Sequence, residues 1–428
     1  MNDFSNIKYD LLYNKDYYTS WLYENHYSDK KLSFKVYNDA VICPLNKIKT
    51  VCALDSNLNY IENSVPYRDK NNVLKSLENF QKSEIKYSDS NAILLGRFVG
   101  VWGHFITEDL KYLWFLKSEF FKDFSEFTPY YYNFKPNSSH LEFFEILGID
   151  TSSIKNISVP TRFNKVLVAE ECFFGEYDKI CEGNVRFIFT REYLDLIENI
   201  RTYANKHKTK LDNDSFYFSY SKYKSGKSVG EPHIENYFKK HNYKIIYPEK
   251  FSFKKQLNIL VNCKNFASTI GSCSHNMIFL NDNSNVILIP RANYLTPYQV
   301  SIDKMHKLKI FYIDSSFSFL AANRNPGEGP FLYFVSRNLK KFFNDDSETS
   351  VNFSDYKKYL RYAMGINLGR RFGFNSGGGS SETHNYYSGE IASDYYGALL
   401  KSGYKLYRKI SNFARRIVEK YFMNIFVK

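Results

Sequence analysis

Two groups of residues in this chain have the types and spacing to do chemistry. The first is His104 and Glu108, with Asp109 beside them, in the run Gly103-His-Phe-Ile-Thr-Glu-Asp-Leu110. On a helix, residues i and i+4 share one face. An imidazole and a carboxylate placed so can act as a base and the partner that orients it, or form a solvated surface pair. One His and one Glu are too few for a zinc site, so no metal is expected. The second group is Gly271-Ser-Cys-Ser-His-Asn276. Gly271 lets the backbone come close to a ligand. Ser272 and Ser274 can cap a helix whose first N–H groups lack partners. That makes the segment either a place to hold an anion or an ordinary capped turn.

The elements around each group have a strand-turn-helix pattern. Asn91 to Leu95 is an apolar strand, followed by a turn spaced by Gly96, Gly100 and Gly103. The amphipathic helix after it turns Phe105, Leu110, Leu113, Trp114 and Leu116 inward. In the same way, a β-rich run from Phe266 to Ile270 precedes Gly271, and an apolar helix is expected over His275 to Leu280.

From Phe216 onward the period is regular. Strands are expected at 216–219, 244–247, 266–270, 286–289 and 310–313, alternating with helices at 231–241, 253–261 and 275–280. This alternation predicts βαβ units and a doubly wound, mostly parallel sheet, which binds ligands outside the carboxyl ends of its strands. Those ends carry Ser219, Lys222, Lys224 and Lys227, then Glu249, then Gly271 to Ser274, then Arg291. Lysines and a helix N-terminus suit a diphosphate, and Glu249 or Glu231 suits ribose hydroxyls. Polar strand ends can also be polar merely because loops are. The first half reads as mixed, with strands near 35–44, 50–53, 129–134 and 165–169 and helices near 73–80, 140–147 and 190–206. The polar stretch 204–214 reads as the linker between the halves.

At 428 residues, 43% of them apolar, the chain is long enough for two or three domains. The formal charge of +13 speaks of partners: nucleic acid, an anionic membrane surface or anionic small molecules. No secretory signal is legible at the N-terminus. No run approaches the roughly 20 apolar residues of a membrane span. Six scattered cysteines without CxxC spacing suggest free thiols in the cytoplasm. GxGxxG, GxxxxGK[ST] and GxSxG are all absent, which argues against a classical dinucleotide fold, a P-loop and a nucleophile elbow.

Three segments together resemble glycosyltransferase family 61: Gly103 to Leu110, Tyr243-Lys-Ile-Ile-Tyr-Pro-Glu-Lys-Phe-Ser-Phe-Lys-Lys-Gln-Leu257, and Gly271 to Leu280. The similarity runs from about residue 90 to 290. It places His104 and Glu108 on the family's helix-opening His and acid. Pro248, Glu249, Ser252, Phe253 and Gln256 fall on the second element, and Gly271, Asn276 and Phe279 on the third. The chain departs from the family at Ile270, where a His is usual, and at Cys273, where a second glycine is usual. It also lacks the arginine often found after the 216–219 strand, and a lysine there supplies charge but no bidentate fork.

The resemblance implies an α/β, GT-B-like architecture, with two Rossmann-like doubly wound domains facing a cleft. The expected division is residues 1–205 on the acceptor side, 206–330 for the nucleotide-sugar, and a helical extension over 331–428. It implies an inverting transfer of sugar from a nucleotide-sugar donor, expected to be UDP-linked, to a glycan or lipid-linked glycan in cell-surface or capsular polysaccharide biosynthesis. No cofactor or essential metal is expected. The base is His104 or Glu108, with Asp109 as runner-up. The leaving diphosphate would meet the N–H groups after Gly271, helped by Ser272, Ser274, His275 and Lys222 or Lys227, with Ser219, Glu231, Glu249 and Asn276 completing the donor site.

The tail has a Gly/Ser-rich loop at 365–384 and then a basic amphipathic pattern over 398–428. That pattern suits an anionic membrane surface or packing on the protein's own core, and the former predicts a cytoplasmic protein held at the inner face of the cell membrane. The rival readings are a non-catalytic glycan-binding scaffold of the same fold and a basic nucleic-acid-binding protein. Against the latter, no recognition module is visible and nucleic acid is not an expected partner.

Overall fold

The computed structural model describes residues 7–11, 25–65, 70–78, 80, 85–177, 185–223, 228–291, 297–317, 331–349 and 351–360. It is a mixed α/β structure with two six-stranded sheets. The first runs in the order Thr50–Leu54, Phe34–Leu45, Thr161–Ala169, Lys86–Arg97, Thr128–Tyr132, Lys155–Ile157. Its last four strands are mutually parallel, and Phe34–Leu45 pairs antiparallel with both of its neighbours.

The second sheet is parallel throughout, in the order Ile7–Leu11, Lys309–Ile313, Asn285–Ile289, Asn265–Thr269, Ser215–Phe218, Lys244–Ile246. The β-rich runs read from the sequence form five of these six strands, shifted by a residue at their ends. Apart from the edge strand Lys244–Ile246 they are buried nearly throughout, as a parallel sheet covered on both faces requires. Helices Glu231–Lys240 and Phe253–Val261 are the crossovers that allow parallel pairing. Ser252 caps the second of them by accepting from the Lys255 N–H.

Two placements differ from the expected division. Ile7–Leu11 pairs with Lys309–Ile313, so the beginning of the chain completes the second sheet and not the first. At the other end, the region expected as a purely helical extension begins with a strand. Phe331–Tyr333 joins Ser228–Val229 and Ser316–Phe317 in a small sheet. Phe331, Tyr333 and Leu339 share a buried cluster with Tyr217, Ile234 and Phe238, so burial of apolar side chains draws this segment onto the second sheet. The Gly/Ser loop and the amphipathic helix of the tail lie outside the described residues.

The two halves share a core. Trp102 packs on Phe253 at 5.0 Å, and Phe143 on Phe253 and Phe279 at 5.5 and 6.4 Å. Phe105, Phe143, Phe253 and Phe279 are all fully buried, each contributing ~2–3 kcal/mol of burial. Among the described residues no helix is long and apolar enough to cross a membrane. Cys43, Cys52, Cys172, Cys263 and Cys273 are buried free thiols.

Candidate active site

The His104–Glu108 pair lies on an irregular helix. Trp102–His104 is α-helical, Phe105–Asp109 is a π-turn, and a regular helix resumes at Leu113–Lys117. A π-turn puts one extra residue into the coil and disturbs the backbone pairing, a pattern common at functional sites. Here side chains take up the carbonyls. Tyr193 donates to Ile106 O at 2.7 Å, Tyr131 to Asp109 O at 2.6 Å, and Thr107 to Gly103 O at 2.9 Å. The single amphipathic helix read from the sequence is thus broken, although its inward residues are all buried.

His104 and Glu108 meet as the spacing requires. Nδ1 of the imidazole is 2.6 Å from Glu108 Oε1. The histidine side chain is 45% exposed and the glutamate 8%, so the ring faces outward and the carboxylate supports it from behind. Tyr298 reaches the same carboxylate oxygen at 3.5 Å, and its ring is held by stacking on Phe187 at 3.7 Å.

Asp109 is corrected. It is fully buried, and its carboxylate accepts from the backbone N–H groups of Val99 and Gly100 at 3.0 to 3.1 Å. It braces the glycine turn from within, and burial pushes its pKa up to about 7. A side chain committed to that turn has no route to a substrate proton.

The glycine-serine turn stands directly against this helix. A Cβ built on Gly103 would lie 2.7 Å from Ser272 Oγ and 3.4 Å from His275 Nδ1, so glycine is what permits the approach. The indole N–H of Trp102 donates to Asn276 Oδ1 at 2.9 Å. His275 is 8% exposed with Nδ1 unpartnered, and burial lowers its pKa to about 4, so it is neutral here.

The helix expected over 275–280 is instead a short 3-10 turn, Ser274–Phe279, and its first N–H groups are already spent. Ser274 N and His275 N point to Gly271 O at 3.0 and 3.3 Å, and Asn276 N to Cys273 O at 3.3 Å. Gly271 N donates to Ser274 Oγ at 3.0 Å. An α-helix start is therefore absent there, and the N–H groups from Ser274 to Asn276 are turned to carbonyls of the turn itself. The physical reason is the tightness of the turn: Ser274 is fully buried, its hydroxyl within hydrogen-bond reach of both Gly271 O at 2.8 Å and Gln299 Oε1 at 2.5 Å, closing the loop on itself. Ser274 and Asn276 hold the turn, which leaves Ser272 and His275 as its side chains nearest the dyad.

The other strand ends divide between buried supports and exposed rim. Ser219 and Glu231 are fully buried. Glu231 Oε1 accepts from Tyr217 Oη at 3.1 Å and from Tyr220 N at 3.0 Å. Ser219 donates to Glu235 at 2.7 Å, and Tyr247 to Glu235 at 2.9 Å. Both acids tie the end of the Ser215–Phe218 strand to helix Glu231–Lys240, so Glu231 is not displayed toward a ribose as expected. Lys222 and Glu249 are exposed at the rim, and Lys227 lies outside the described residues.

Sequence reasoning missed several participants. Glu235 sits one helical turn after Glu231, a spacing that was legible. Trp102 and Tyr298 had no local signal. Arg291 is among the strand-end residues named above but not among the expected donor contacts. Its Nη2 lies 3.1 Å from Thr269 Oγ1, and its guanidinium stacks 4.8 Å over the Tyr220 ring. Among the described residues, no cluster of three or more His, Cys, Asp and Glu side chains could hold a metal ion.

Residues 102–287 match the family model described as Glycosyltransferase 61. No curated protein matches the chain.

Proposed function

We propose, from the match of residues 102–287 to the Glycosyltransferase 61 model, that the chain is a glycosyltransferase of that family which transfers a sugar from a UDP-linked donor to a glycan hydroxyl with inversion. The observation that carries the reading is the contact of Gly103 with Ser272 and His275, which sets an exposed His104, backed by Glu108, beside the turn at the carboxyl end of a parallel sheet. Parallel sheets take their ligands at that end.

With Nδ1 turned to Glu108, His104 has Nε2 left for the acceptor. In the proposed step Nε2 takes the acceptor hydroxyl proton, and the oxygen forms a bond to the anomeric carbon from the side opposite the diphosphate. The old C–O bond breaks with its electron pair leaving on the nucleoside diphosphate. Glu108 stabilises the imidazolium as it forms, the role of a carboxylate behind a general base. Ser272 and the rim lysine Lys222, with Lys227 from outside the described residues, would meet the departing charge, where fixed dipoles and cations lower the barrier most. A GT-B-like relation of the halves and a metal-independent reaction are part of this proposal. So are an acceptor in cell-surface or capsular polysaccharide synthesis and attachment to the inner face of the membrane through residues 398–428.

The test is a thermal-shift screen of nucleotide-sugars on the full-length protein, followed by release of nucleoside diphosphate with and without glycan acceptors. A ligand that binds only the folded form raises the melting temperature by mass action. Stabilisation by a UDP-sugar and acceptor-dependent UDP release are expected, and a flat response to every nucleotide-sugar would sink the donor assignment. For the tail, deleting residues 385–428 should move the protein from the membrane to the soluble fraction, and unchanged partitioning would reject that part.

A further inference from the structure

We propose that Arg291 is the side chain that binds the donor's diphosphate, an assignment that rests on the donor reading above and specifies its anion site. Arg291 lies beyond the matched residues 102–287, two positions after the Asn285–Ile289 strand. The sequence lacks an arginine after the Ser215–Phe218 strand, which lies beyond Asn265–Thr269 in the same sheet, and has Tyr220 there instead. In the fold, the guanidinium of Arg291 reaches across and covers the Tyr220 ring, its Cζ 4.8 Å from the centroid. A fork of donors thus occupies the end of the strand that has no arginine of its own.

The same guanidinium lies against the turn that meets the dyad. A Cβ on Gly271 would sit 2.6 Å from Arg291 Nη1 and 2.9 Å from Cζ. Gly271, at φ +141°, is therefore required for this placement as well as for the turn. Arg291 is 9% exposed and its Nε is buried without a partner. A guanidinium stays charged in any environment and matches phosphate with two parallel N–H donors. Holding one nearly buried is costly unless an anion answers it. Tyr333 and Glu231 offset the cost of burying it, but the Glu231 carboxyl is itself pushed upward by burial, which weakens it as a counter-ion. The Thr269 hydroxyl takes Nη2 while Nε stays unpartnered, and a diphosphate at the Gly271 turn would add a full counter-charge and further acceptor oxygens.

The experiment compares affinities of UDP and UMP for the full-length protein by calorimetry, in wild type, Arg291→Gln and Arg291→Lys. Because the second phosphate is the group assigned to Arg291, the wild type should prefer UDP over UMP by about tenfold or more. In Arg291→Gln that preference should collapse toward unity, and Arg291→Lys should keep part of it, since lysine retains charge without the fork. A purely structural arginine would weaken both nucleotides alike. An unchanged UDP/UMP ratio in Arg291→Gln, or an equal loss for both nucleotides, overturns the assignment and leaves the donor reading standing. Failure of the wild type to bind UDP, GDP or CDP overturns the donor reading, and this assignment with it. If Arg291→Gln does not fold, Arg291→Lys decides: a reduced ratio supports the proposal and an unchanged one rejects it.

Discussion

The indole N–H of Trp102 donates to the side-chain oxygen of Asn276 at 2.9 Å, across 174 positions of sequence. This bond fastens the helix that carries the dyad to the turn at the end of the parallel sheet. Asn276 is buried, and its Nδ2 also holds Cys273 O at 3.1 Å. Replacing Asn276 with Leu leaves the indole N–H without its partner and takes one of two donors from the Cys273 carbonyl, which keeps the backbone N–H of residue 276. Such an orphaned donor costs about 1–3 kcal/mol, so the melting temperature of Asn276→Leu should fall by a few degrees. A melting curve superimposable on wild type would show that the bond does not hold the halves.

The dyad can be separated from stability. His104 is substantially exposed, and its nearly buried partner Glu108 keeps a second contact at Tyr298 when the ring is removed. His104→Ala should lower transfer by about 10²–10⁴-fold, the range for loss of a general base, with little change in melting temperature. Glu108→Gln preserves size but not the charge that supports the imidazolium, and should cost a similar factor. Steady-state turnover alongside thermal melts checks both, and near-normal turnover in the two variants would remove the dyad from the mechanism.

Close approach at Gly103 gives a test by rescue. A methyl group there meets Ser272 Oγ at 2.7 Å and Ser272 Cβ at 3.3 Å. Alanine is the better helix former, which alone would stabilise by about 1 kcal/mol. The clash should outweigh this, since overpacking commonly costs about 1–3 kcal/mol. Gly103→Ala is therefore expected to be less stable than wild type, and the double variant with Ser272→Gly to recover most of the loss. Denaturant unfolding of the four proteins in the cycle gives the coupling energy, and additive effects would contradict the contact.

Asp303 makes a pH prediction. It is buried, accepts from Gln299 Nε2 at 2.8 Å and from the Tyr312 hydroxyl, and burial raises its pKa to about 7. In the unfolded chain the value is about 3.9. Between these values the folded state binds more protons than the unfolded one, so this group's contribution to stability falls as pH rises from about 4 to 7. Asp303→Asn should flatten that slope. Urea unfolding at pH 5 and pH 7.5 compares the two, and an identical pH dependence in wild type and variant would mean that Asp303 is ionised in the fold. His140, His275 and His306, each lowered to about 4 by burial, act in the opposite sense. They remain neutral when folded and take protons when unfolded, so they weaken the fold as pH drops from about 6.5 toward 4.

Much of the second sheet was legible because local rules suffice for it. A buried parallel strand is a short β-branched and aromatic run between turn residues, and amphipathic crossovers announce themselves by period. Helix Phe253–Val261 matches its expected limits. The edge strand Ile7–Leu11 was not read because its partner, Lys309–Ile313, is distant in sequence, and the strands Phe173–Tyr177 and Val185–Thr190, which pair with each other, were not read either.

For the site, the sequence by itself determined that His104 and Glu108 would meet, since four residues of helix bring any such pair together. It also determined that Gly271 would end a strand of a parallel sheet. Only the tertiary structure decided what those residues face. Asp109, adjacent to Glu108 in the chain, turns inward to the Val99 and Gly100 amides. Ser274 takes the Gly271 N–H, and the N–H groups of Ser274, His275 and Asn276 close onto the turn's own carbonyls instead of standing open as at an isolated helix start. Arg291 arrives over Tyr220 from a different strand. Direction across a junction depends on which surfaces are buried together. Burial is a property of the packed chain, and no spacing rule along one segment carries it.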